Sequence, residues 1–299
     1  MSRALQAHLL LVLVTFVWGS TFVLIKGAVQ HDVSPLLFNS VRMTLATAAL
    51  ALIFYKDVKS IRGPAFRAGA LVGTFMWLGY EFQTTGIRHT TASKSAFITG
   101  ISVVLVPLFL SVFWRRNANH WSVMGVTCAF VGLFLLTVPA GESVFGNLAS
   151  VNVGDVLTFI CAVGFAFQII FLGRATERHP IGQIAFLQIA VAAAWMVISL
   201  PFVPETLHLY PSRIVISAIV ITGLLGTAAA FSIQAWAQRF TSPTHTALIF
   251  SLEPVFAWIT SYVVLGERLG ARAGLGAGMI LSGILISELL GTASLPREA

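Results

Sequence analysis

QTTGIRHTTASKSAFI (residues 83–98) and QAWAQRFTSPTHTALI (residues 234–249) lie 151 positions apart in the chain. Aligned without a gap, Gln83 falls on Gln234, Arg88 on Arg239, Thr90 on Thr241, Ala96 on Ala247 and Ile98 on Ile249. The same offset carries Gly125 onto Gly276 and Gly132 onto Gly283. Shared apolar composition alone does not supply so many identities at one offset. The chain is therefore read as a duplication, with repeats over residues 1–140 and 150–291. Agreement weakens towards the start of each repeat, where Arg42 meets Gln188 only if the offset drifts to 146.

Working outward, the whole chain of 299 residues is 57% hydrophobic and 10% charged, against about 25% charged in soluble domains. Mean hydropathy is +0.88. A water-soluble fold cannot hide that much apolar surface, which excludes a soluble enzyme. Apolar runs lie near residues 8–27, 35–54, 68–87, 95–114 and 121–139, then 153–173, 182–202, 215–236, 245–264 and 272–290. Each is close to the length that crosses a bilayer as a helix. The runs are continuously apolar, not alternating, so helices are preferred over a barrel. The first run follows Arg3 as a signal peptide would, but it continues to Lys26 and similar runs follow, so it reads as a retained span. Five spans per repeat is an odd number, so the second repeat enters the membrane upside down. The expected fold is an all-α integral membrane protein: ten transmembrane helices in two inverted five-helix repeats around a central cavity.

Net charge is +7, but the basic residues are scattered through short loops, where they set orientation and do not point to nucleic acid. With the N-terminus inside, eleven Lys and Arg residues face the cytoplasm and six face out, with Arg42 left inside a span. The bias favours both termini cytoplasmic in an inner (cytoplasmic) membrane. Cys128 and Cys161 sit within apolar runs and read as reduced packing residues.

These residues resemble the drug/metabolite transporter superfamily, specifically the ten-span EamA family. The resemblance rests on Trp18-Gly19-Ser20-Thr21, on Arg42, and on the stretch from Thr90 to Pro107. It rests also on Leu252-Glu253-Pro254-Val255 and Leu265-Gly266-Glu267-Arg268-Leu269, and it covers essentially the whole chain. It implies a basket-like bundle that exports or exchanges small metabolites such as amino acids, other organic solutes or drugs. Two departures stand out: Arg115-Arg116 occupies the first-repeat counterpart of Gly266-Glu267, and Phe165 stands roughly where Trp18 does.

Intramembrane charges are costly and mark functional candidates. Glu81 lies within the third span and reads either as a proton-coupling carboxyl or as a paired glutamate tying helices together. Glu253 precedes Pro254, whose missing N–H and ring clash bend a helix. A carboxylate beside such a bend is a ligand or proton site, or part of a hinge. Pro107 is a related kink candidate, four positions past the register of Pro254. Lys94 and His245 are equivalent positions at span starts, where helix N-termini favour anions; a snorkelling lysine is the plainer reading. Arg42 lies deep enough in its span to need a partner: an intramembrane salt bridge is the expected one, and substrate binding the alternative. Gln83 and Gln234 are repeat-related amides that suit either a polar solute or helix–helix bonding. Trp18, with Trp77, Trp236 and Trp258, is a candidate for an aromatic cavity wall, against ordinary packing as the plainer reading of each. Gly274 and Gly278 form a GxxxG that packs the last span within the bundle or against a second copy.

No metal-binding cluster, P-loop or nucleophile elbow appears in the sequence, so neither cofactor nor catalysis is expected. The expected function is secondary active transport by alternating access, coupled to protons, with a small-molecule substrate and the bilayer as partners. A gradient-independent facilitator is the alternative, and a membrane-embedded enzyme acting on lipid the more distant one. Monomer and homodimer are both compatible with the sequence.

Overall fold

The computed structural model describes residues 2–29, 33–86, 89–90, 92–116, 119–138, 152–202, 207–265 and 270–290. These are helical almost throughout. The first half holds α1 (Arg3–Val29), α2 (Pro35–Ile53), α3 (Tyr55–Lys59), α4 (Gly63–Gly86), α5 (Ala92–Gly100), α6 (Ser102–Trp114) and α7 (His120–Thr137). The second holds α8 (Val153–Arg178), α9 (Ile181–Ser199), α10 (Arg213–Gly223), α11 (Ala230–Ala237), α12 (Pro243–Phe250), α13 (Glu253–Leu265) and α14 (Ala271–Leu285). A π-helical turn, Leu224–Ala229, joins α10 to α11, and another, Ile286–Leu290, follows α14.

Among the described residues, eight helical stretches are long and apolar enough to cross a bilayer. The protein is thus a multi-pass membrane protein. Two further helices differ from these eight in one property each. α4 has 24 residues but is less apolar, with Arg67, Tyr80, Glu81 and Gln83 along it, and α14 is apolar but has 15 residues before its π turn. Local chemistry starts the helices where the sequence punctuates them. Pro35 and Pro243 sit in the first turns of α2 and α12, where a missing N–H costs nothing. Asn152 and Asp155 close a capping box at the head of α8, with Asp155 Oδ1 also accepting from Thr90 at 2.7 Å.

Cross-links sort the connections into two ends of the bundle. At one end Gln183 Nε2 donates to Ser60 at 2.9 Å, and Arg239 caps α8 by donating to the Thr176 and His179 carbonyls at 2.7 and 2.9 Å. His8 and Thr241 bond there at 2.8 Å. At the other end Ser34 bonds the His208 ring at 3.1 Å, beside the Val33–Leu209 bridge, and Thr90 meets Asp155.

Close helix approach is carried by glycines. A Cβ on Gly125 would lie 2.5 Å from the Gly283 carbonyl oxygen, and one on Gly132 would lie 2.6 Å from that of Gly276. The pairing is antiparallel and reciprocal, because Gly125 is the repeat counterpart of Gly276 and Gly132 that of Gly283. In lipid, where apolar side chains gain nothing from leaving the solvent, such backbone contact is a main source of helix association. The expected GxxxG pair does not take part in this crossing: a Cβ on Gly274 or Gly278 would meet nothing within 4 Å among the described residues, and the intervening Gly276 faces the bundle.

Four buried glutamines tie α8, α9 and α11 together. Gln168 Nε2 donates to Gln188 Oε1 at 3.1 Å, Gln234 Nε2 reaches Gln168 Oε1 at 3.4 Å and Gln238 Oε1 at 3.2 Å, and Gln238 Nε2 donates to the Ile169 carbonyl at 2.9 Å. Replacing Gln168 by leucine strands its neighbours' polar atoms, at a cost of about 2 kcal/mol. A thermal-unfolding scan of the detergent-solubilised variant should show lowered stability with unchanged substrate preference. A shifted preference at unchanged stability would reassign this network to the solute path.

Candidate functional site

Two interruptions define the middle of the bundle. The helical path breaks at Ile101, between α5 and α6, and at Ser251–Leu252, between α12 and α13. Ile101 and Leu252 are 151 positions apart, so the breaks are in register although the prolines are not. Pro107 lies inside α6 and removes the N–H that would reach the Val103 carbonyl. Pro254 instead occupies the first turn of α13, directly after Glu253, which opens that helix. Gly19 of α1 passes so close that a Cβ there would lie 2.8 Å from the Glu253 carbonyl oxygen.

Around these breaks stands an aromatic set from α1, α4, α8, α11 and α12. The Trp18 indole donates to the Gly226 carbonyl at 2.7 Å, an oxygen presented by the π turn, and packs on Phe231 at 5.2 Å and Phe250 at 4.9 Å. Tyr80 meets Phe165 at 5.4 Å and Phe231 at 6.4 Å. Trp18, Tyr80, Phe165, Phe250 and Glu253 are each only half-buried despite this central position.

Arg42 is buried in α2 at 7% exposure. Its guanidinium carbon lies 4.8 Å from the Tyr80 ring centroid and 5.9 Å from that of Phe38. The expected intramembrane salt bridge is absent among the described residues, and Nε has no hydrogen-bond partner. Arg42 is the formal charge whose field reaches the Glu253 carboxyl. The other candidates disperse around this centre. Gln83 Nε2 donates to Thr99 at 3.4 Å, and Thr99 contacts the buried Cys161 thiol at 3.8 Å. Glu81 is half-buried two residues away. Gln234 lies in the glutamine network. His245 lies near one end of the bundle, its ring 6.0 Å from that of His8. Lys94 falls in α5, but its side chain lies outside the described residues, as do Glu267 and Arg268 altogether.

Sequence reasoning missed Tyr80 and Phe231, which sit at the heart of the aromatic set. They are repeat counterparts at the same offset of 151, and an aromatic-for-aromatic match was the available signal. Their neighbours correspond too: Arg42 lies over Tyr80, and its counterpart Gln188 donates to the Phe231 carbonyl at 3.4 Å.

A model of the EamA-like transporter family matches residues 5–138 and 152–289. The chain belongs to the EamA-like transporter family. Within it, a protein named as an uncharacterized transporter from Archaeoglobus fulgidus is 35% identical over 288 residues, covering 96% of this chain and 87% of that one. A probable terminal-alkyne amino-acid exporter from Streptantibioticus cattleyicolor is 25% identical, covering 96% of this chain and 93% of its own length. A solved crystal structure superposes with a TM-score of 0.78 at 17% identity, covering 96% of this chain and 98% of that one. That likeness concerns the fold. Family and relatives mark this chain as a membrane transporter of the drug/metabolite type.

Proposed function

We propose that this EamA-family chain is a proton-coupled exporter of hydrophobic amino acids or closely related amphipathic solutes. In this reading ten spans form two inverted five-helix repeats, both termini are cytoplasmic, and the protein works in the cytoplasmic membrane as a monomer or homodimer. The reciprocal glycine crossing of α7 and α14 and the in-register breaks support the inverted repeat. Basic residues on the end that carries Lys56, Lys59, Arg62, Arg115, Arg116 and Arg178 support the orientation.

The observation that carries the substrate class is Arg42. A buried guanidinium without an ion pair, set over an aromatic ring, is completed by an anionic group. A substrate carboxylate meets that need, and its ammonium group then pairs with Glu253 across the aromatic set. The aromatic faces of Trp18, Phe165 and Phe250 suit an apolar side chain. The amino-acid exporter among the relatives agrees with this class. Proton coupling is assigned to Glu253, with Glu81 as a second carboxyl on the path and Gln83 as a polar contact. Lys94 and His245 are assigned to the two mouths. Alternation is assigned to the broken helices α5–α6 and α12–α13, with Pro107 and Pro254 as hinges.

The test is uptake of labelled hydrophobic amino acids into proteoliposomes, with and without an imposed pH gradient. Accumulation should require the gradient. Glu253→Gln should retain exchange of substrate for substrate while losing gradient-driven accumulation. Flux indifferent to the gradient would make the protein a facilitator and return Glu253 to a structural role. Equal transport of N-acetylated or amidated analogues would overturn the amino-acid reading.

A further inference from the structure

A cavity of about 340 Å³ lies away from the central site, between the first turns of α4 and the last turns of α8. Its walls divide by chemistry. Pro64, Ala68 and Leu71 of α4 and Phe171 of α8 supply apolar lining, and Arg174 and Arg178 follow Phe171 along the same face of α8. Leu71 is 42% exposed on the outer surface of the bundle, where acyl chains lie. The Arg174 guanidinium carbon is held 4.1 Å from the Trp114 ring centroid, at the depth where tryptophans mark the membrane interface. Arg116 and Arg178 both lie within its field, with the exposed Glu177 as the opposing charge. Among the described residues, neither the Arg174 nor the Arg178 side chain makes a hydrogen bond or ion pair with the protein. Cations so crowded repel one another until an anion joins them, and a planar guanidinium fork fits two phosphate oxygens.

We infer that this cavity is a binding site for an anionic phospholipid of the leaflet on the Arg174 side. The phosphodiester sits between Arg174 and Arg178, and an acyl chain runs along Leu71 and Phe171. Position at the interface, an apolar wall open to the hydrocarbon, and a basic rim with no protein acceptor are the three features such a lipid requires. A soluble phosphate would use the rim alone. The site is independent of the solute path, so its failure leaves the transport reading untouched.

Native mass spectrometry of the purified protein in detergent, titrated with phosphatidylglycerol or phosphatidylcholine, tests the assignment. Wild type should retain phosphatidylglycerol at least about tenfold better. The variant R174Q/R178Q should lose that preference, whereas K56Q/K59Q removes equal charge from the same end and should keep it. R174K/R178K keeps the charge without the fork and guards against misfolding; its preference should fall between the two. Equal retention of both lipids by wild type would overturn the site, as would an unchanged preference in R174Q/R178Q. Glycerol phosphate displacing the lipid at equal concentration would overturn the acyl-chain half of the assignment.

Discussion

Arg42→Gln is expected to abolish most transport while leaving the protein as stable as wild type, or more so. The reason is that Arg42 is buried with no ion pair among the described residues, so in the empty protein its charge is opposed only through the field of Glu253. Removing that charge relieves the apo state. In the proposed loaded state the same guanidinium is the partner of the substrate carboxylate. Truncating one member of a desolvated charge pair costs about 2–5 kcal/mol, which is a loss of at least roughly 30-fold in substrate affinity. Arg42→Lys keeps the charge but loses the planar face that lies 4.8 Å from the Tyr80 ring centroid, so an intermediate loss is expected. Proteoliposome uptake and a thermal scan on the same preparations separate the effects. Transport at the wild-type rate in Arg42→Gln would remove Arg42 from the site. A fall in unfolding temperature that tracks the fall in transport would make it structural.

Gly276→Leu should be the most damaging single substitution in the scaffold. A Cβ at that position would lie 2.5 Å from the Gly132 carbonyl oxygen and 2.7 Å from the Leu136 amide nitrogen, both backbone atoms that no rotamer change can move. α7 and α14 must then separate, and overpacking of that kind costs about 3 kcal/mol. In a chain of this size the unfolding temperature should drop by roughly 5 °C. The neighbouring Gly274→Leu and Gly278→Leu meet nothing within 4 Å among the described residues, so both should leave it unchanged. If Gly274→Leu proved as harmful as Gly276→Leu, the outward orientation of that face would be wrong.

The membrane class, the helical runs and the duplication were legible without coordinates, as was the break in the helix beside Glu253 and Pro254. Other features depended on which way a helix is turned. The GxxxG spacing pointed to Gly274 and Gly278, yet the close approach belongs to Gly276 and Gly283. Gln83 and Gln234 are equivalent in sequence, but one bonds Thr99 near the broken helix and the other is locked among three more glutamines. Arg42 was expected to find a carboxylate and finds the Tyr80 and Phe38 rings.

Hydropathy is a sum over some twenty residues against a slab of fixed thickness, so span class and span position are local properties that sequence determines by itself. The repeat is likewise a comparison of residues with residues. Which face of each span turns inward is not local. A leucine is equally content against lipid or against another helix, so the apolar contrast that orients a helix in a soluble protein is missing here. Backbone fit between small residues and the pairing of the few polar groups decide the orientation instead. Both exist only once the helices meet, which is why Tyr80, Phe231 and the basic cavity beside Trp114 emerged from the tertiary structure alone.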